Sequence, residues 1–101
     1  MIYQIIWQPN SEMSYYDEID FIYRKWNHKE VQKFQDLVFE NLKRLAENPL
    51  IGNYDNTRKI YSIVISKQTK LFYTIDTKCK VVDLHLFWNN SKNPEELNKL
   101  L

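Results

Sequence analysis

The chain has 101 residues, 44% hydrophobic and 27% charged, with a formal net charge of +1. That length suits one domain, 1–101, built on a two-layer core, because two cores would each fall below the size that holds together unaided. No run reaches the roughly 18 to 20 apolar residues that span a bilayer, no basic segment precedes the apolar start at 2–7, and the near-neutral charge argues against a general nucleic-acid binder; the expectation is a soluble, cytoplasmic protein.

Residues 2–7 are β-branched and aromatic and stop at Pro9-Asn10-Ser11, which predicts a strand and a turn. From Ser11, read as an N-cap, Tyr16, Ile19, Ile22, Tyr23 and Trp26 recur at helical spacing and predict one apolar face. Glu12, Asp17, Asp20 and Arg24 fall on the other side, and the carboxylates Asp17, Glu18 and Asp20 read as a solvated face. Asn27-His28-Lys29-Glu30 has the pattern of a reciprocal cap, with Asn27 accepting from the new helix and Glu30 reaching back. The second helix carries Val31, Phe34, Val38, Leu42 and Leu45 as its buried stripe, and Glu40 can pair with Arg44 on the wet side. So short a connection makes an antiparallel helical hairpin.

Asn48-Pro49 ends that helix, and the single glycine, Gly52, lies in the loop that follows. Strands are predicted at 58–66, 69–76 and 80–88, joined by the polar turns Lys67-Gln68 and Thr77-Lys78-Cys79. Asn93 as cap and Pro94 at the first helical position then predict a short terminal helix. The predicted class is α+β: the hairpin packs on one face of a four-stranded antiparallel sheet.

This order, with Leu42-Lys43-Arg44-Leu45-Ala46-Glu47-Asn48-Pro49-Leu50-Ile51-Gly52, then Arg58-Lys59, then Leu71-Phe72-Tyr73-Thr74-Ile75-Asp76, resembles the RelE/ParE family. These are the toxins, or plasmid stabilisation proteins, of bacterial type II toxin–antitoxin systems. The resemblance covers nearly the whole chain and implies growth inhibition, neutralisation by a cognate antitoxin that wraps the toxin, and no cofactor.

Strand alternation sends Leu71, Tyr73 and Ile75 toward the hairpin and Lys70, Phe72 and Thr74 to the open face. In the last strand the same reading puts Asp83, His85 and Phe87 on the open face, with Val82, Leu84, Leu86 and Trp88 inward. The resemblance implies that basic residues there hold phosphate and that a titrating side chain moves the proton. Arg58, Lys59 and Lys70 match the basic positions, although Lys70 stands where the cleaving branch often has arginine and so lacks the bidentate fork. His85 titrates near neutrality, which leaves Lys70 and His85 as catalytic candidates, while Phe87 or Trp88 could stack on a base. The bland alternative for Arg58 and Lys59 is a charged strand edge that discourages pairing with other chains.

Two target classes follow from the resemblance. One is an mRNA interferase acting on the ribosome; the other is a non-enzymatic inhibitor of DNA gyrase. Low net charge and Trp88-Asn89-Asn90, which places no acid or base at the strand end, favour the gyrase inhibitor. The cations and aromatics of the sheet favour the RNA enzyme; the inhibitor is the preferred expectation, the RNA enzyme its alternative, and a degenerate toxin without activity the third. No metal is expected, because His28 and His85 lack ligand partners at useful spacing. Cys79, the single cysteine, reads as a small strand residue.

Overall fold

The computed structural model describes residues 2–101. Strand β1 (Gln4–Trp7) leads into helices α1 (Pro9–Lys25) and α2 (His28–Glu47), and a single 3-10 turn, Pro49–Ile51, follows. Strands β2 (Asn53–Asp55), β3 (Ile60–Val64), β4 (Thr69–Asp76) and β5 (Val81–Asn89) come next, and α3 (Pro94–Leu100) closes the fold. The class is α+β, as expected.

The sheet corrects the expected count and direction: it has five strands in the order β1-β5-β4-β3-β2, and β1 runs parallel to β5, with Gln4 opposite Val81 and Trp7 opposite Leu84. The cause is β2. Each hairpin or tight turn reverses the chain, so one additional strand between α2 and β3 inverts the direction of everything after it. Asn53, Tyr54 and Asp55 pair antiparallel with Ser62, Tyr61 and Ile60, and that extra reversal brings β5 alongside β1 pointing the same way.

Helix α1 starts at Pro9, two residues before the expected cap, with Gln8 at the N-cap position. Proline fixes a helical φ and gives up an N–H that the first turn leaves unpaired anyway. Ser11 is fully buried instead, its hydroxyl donating to the Gln8 carbonyl at 2.6 Å. The buried stripe of α1 is Ser11, Tyr15, Glu18 and Ile22, whereas Tyr16 is 66% exposed and Tyr23 and Trp26 also face solvent. Two polar residues occupy inward positions because hydrogen bonds satisfy them there, which turns the helix away from the face its hydropathy predicts.

In α2 the stripe is the expected one, with Val31, Phe34, Val38, Leu42 and Leu45 buried. Asn27 accepts from the Glu30 N–H at 3.0 Å, but Glu30 turns to Lys33 at 3.3 Å rather than back to the cap. Arg44 donates to Asn41 at 3.1 Å in place of an ion pair with Glu40. The core between hairpin and sheet joins these residues to Leu71, Tyr73, Val82, Leu84 and Phe87.

A β-bulge governs the outer face. Phe72 pairs with Leu86 while Tyr73 pairs with Leu84, so His85 is the extra residue and the alternation of β5 changes phase there. Phe87 therefore points into the hairpin core at 2% exposure, and Leu86 and Trp88 turn outward. They join Ile60, Phe72 and Leu97 of α3 in a second small apolar cluster. The outer face is thus partly covered, by a terminal helix whose cap is the expected one, Asn93 accepting from the Glu95 N–H at 3.0 Å.

Candidate functional site

The β2–β3 turn is built on Asp55, whose carboxylate accepts from the N–H groups of Thr57 at 2.8 Å and Arg58 at 3.3 Å. It closes with Lys59 at φ 57°. The β4–β5 turn repeats the device: Asp76 accepts from the N–H groups of Lys78 and Cys79, and Lys80 also stands at φ 57°. These bonds hold the Asp76 carboxyl below its usual range, and its charge raises the thiol pKa of Cys79, which is an exposed turn residue and not the strand residue expected. The shared conformation identifies the left-handed Lys59 as turn geometry. Arg58 and Lys59 stand in that turn, immediately before β3.

There they meet His85 and Thr74 in one cleft of about 480 Å³, which Gln8, Pro9, Asn10, Ile60, Leu100 and Leu101 also line. Arg58 lies 3.6 Å from the Asp55 carboxylate and donates to Asn98 of α3. Lys59 has neither an ion pair nor a side-chain hydrogen bond among the described residues, and its ammonium is free for a ligand. The first turn of α1 lines the same cleft through Pro9 and Asn10.

His85 is half-buried. Its Nε2 lies 2.7 Å from the Thr74 hydroxyl, and its pKa is lowered, chiefly by burial, against the opposing charge of Asp83. The ring is therefore neutral near pH 7 and able to accept a proton. Asp83 in turn accepts from the Gln8 amide at 2.8 Å, which ties the start of α1 to the strand that carries the histidine.

Of the residues singled out in the sequence, Arg58, Lys59 and His85 come together. Lys70 does not join them: it pairs with Trp88, four positions and roughly 13 Å along β4 from Thr74. Phe87 is a core residue, stacked on Trp7 at 5.5 Å. Trp88 is 4% exposed beside Leu97, with the Lys92 ammonium 5.7 Å from its ring, so neither aromatic presents a free stacking face. Thr74 and Gln8 were not legible as site residues, since neither type carries chemistry by itself. Glu18, read as solvated, is 3% exposed and accepts from Thr69 at 2.6 Å and Asn89 at 3.2 Å. Asn89 thus serves the fold. Among the described residues no group of carboxylates, histidines and cysteine could hold a metal, and no helix is long and apolar enough to cross a membrane.

No protein-family model and no curated protein matches the sequence. Solved structures do match in shape. The chain superposes on a RelBE2 toxin–antitoxin complex from Mycobacterium tuberculosis with a TM-score of 0.61 at 14% identity, covering 88% of this chain and 99% of that one. It superposes on a double arginine-to-alanine mutant of the E. coli toxin RelE in the free state with a TM-score of 0.65 at 16% identity, covering 99% and 94%. The chain shares its fold with these RelE structures.

Proposed function

We propose that this chain, acting as one domain over 1–101, is the toxin of a bacterial toxin–antitoxin pair and cleaves messenger RNA on the ribosome. The observation that carries the reading is the cleft in which Arg58, Lys59 and His85 meet beside the first turn of α1. The chemistry asked of it is modest. His85 takes the proton of a ribose 2′-hydroxyl, whose oxygen bonds to the adjacent phosphorus as the bond to the 5′-oxygen breaks, and that leaving oxygen takes a proton from water. Lys59 and Arg58 hold the non-bridging oxygens as their charge grows.

The gyrase-inhibitor reading rested on low net charge and on a local argument, the absence of an acid or base at Trp88-Asn89-Asn90. His85, lining the cleft with Arg58 and Lys59, supplies a proton acceptor a few residues earlier in the strand and removes that local argument. Structural likeness to RelE toxins supports the ribosomal reading, and likeness to a chain of a toxin–antitoxin complex supports a cognate antitoxin as partner. A ribosomal target would place the protein in the cytoplasm. The test is a reconstituted translation reaction with mapped message ends, run beside a gyrase supercoiling assay. Cuts that appear only on ribosome-bound message, with supercoiling intact, are expected; arrested supercoiling with uncut message would restore the inhibitor.

A further inference from the structure

The strongest geometry in the cleft that catalysis by His85 does not yet explain is its contact with Thr74. In regular pairing Thr74 faces Asp83, and a histidine two residues further along would stand over the next pair of residues. The bulge places His85 outside the register, and its Nε2 reaches the Thr74 oxygen at 2.7 Å. Neither the other ring nitrogen nor the Thr74 hydroxyl has a second side-chain partner among the described residues. The carboxylate whose charge acts on the ring, Asp83, is taken up by Gln8, and the cations of the site, Arg58 and Lys59, come from the β2–β3 turn.

We infer that Thr74 is a positioning residue for His85: it accepts from Nε2–H, fixes the ring and the tautomer, and leaves Nδ1 as the nitrogen that takes the proton. Which nitrogen of an imidazole carries the proton is set by the bond the other one makes. Nδ1, without a side-chain partner among the described residues, then carries the lone pair that takes the proton. The valence of Thr74 then follows, since a hydroxyl that receives the Nε2 proton anchors the ring in both of its charge states. The assignment rests on the proposed role of His85 as proton acceptor.

The experiment compares the parent with Thr74→Val and Thr74→Ser, using Thr74→Ala if valine does not fit. Two-bond proton–nitrogen NMR above neutral pH reads the tautomer of His85, and a titration reads its pKa. The parent is expected to show Nε2–H. Thr74→Val removes the acceptor that the charged ring uses most, so the pKa falls further and the tautomers mix; Thr74→Ser restores both. Message cleavage is expected to drop about 10- to 100-fold in the valine variant, the cost of a misplaced group, and to recover in the serine variant. A valine variant whose tautomer and pKa equal the parent's overturns the inference. So does a raised pKa, which would make the Thr74 hydroxyl the donor. If the NMR behaves as expected and no variant, parent included, cuts message, the positioning stands and the cleavage reading fails.

Discussion

Gly52 donates its backbone N–H to the Tyr73 hydroxyl at 3.1 Å, and that hydroxyl donates to the Pro49 carbonyl at 2.7 Å. This is the physical content of the sequence pattern that joins a proline, a glycine and a strand tyrosine. A Cβ on residue 52 would lie 2.3 Å from the tyrosine oxygen and 2.7 Å from the Ser62 carbonyl, so only glycine permits the approach. Gly52→Ala is expected to cost about 1 to 3 kcal/mol by overpacking, read from urea unfolding. Burial, countered by the Gly52 N–H and reinforced by Tyr61, pushes the Tyr73 pKa from 10.0 up to about 12. The folded value is the higher one, so this stabilisation is complete below about pH 10 and disappears between about 10 and 12. Tyr73→Phe is expected to flatten the alkaline fall in stability.

Glu18 ties α1 to the paired ends of β4 and β5 through Thr69 and Asn89. Glu18→Ala leaves buried donors without an acceptor and is expected to cost about 1 to 3 kcal/mol. Glu18→Gln turns an amide toward the Asn89 amide and is expected to recover only part of the loss. Asp17→Ala, on the exposed side, is expected to stay within about 0.5 kcal/mol. Urea midpoints for the three variants decide whether Glu18 is a buried tie or one more surface charge.

Phe87 and Trp88 exchange the roles that simple alternation assigns them. Phe87→Ala empties a site among Trp7, Tyr15 and Leu71 and is expected to cost about 3 to 5 kcal/mol. Any loss of toxicity in that variant would then track unfolding, measured by circular dichroism, and would say nothing about base stacking.

The helices, the Asn27 and Asn93 caps, the Lys67-Gln68 turn and the basic residues of the cleft were all legible, because each rests on local chemistry. Three things were not. Asn53-Tyr54-Asp55 has little strand character, and its pairing depends on β3, yet it reverses the direction of all that follows. The bulge leaves the pattern from Val82 to Trp88 unchanged in sequence while it moves Phe87 inward. Ser11 and Glu18 are buried only because partners far along the chain satisfy them.

The cleft residues differ in what they are expected to do. Lys59→Ala and Arg58→Ala each remove one cation from the developing charge, and a 10- to 1000-fold loss of cleavage is expected, roughly the range for deleting a single electrostatic contact. Lys70→Ala, roughly 13 Å along β4, is expected to act more weakly, through binding. A base must be neutral, and burial lowers the His85 pKa. Cleavage is therefore expected to hold its plateau below pH 6.5 and to fall only on further acidification; a rate already halved at that pH would contradict the assignment.

If His85 in this cleft takes a proton during RNA cleavage, single-turnover cleavage of message on programmed ribosomes separates the parent from His85→Ala. His85→Ala is expected to slow cleavage about 100-fold or more while its urea midpoint stays near the parent's. A folded His85→Ala protein that cuts at the parent rate would contradict that role.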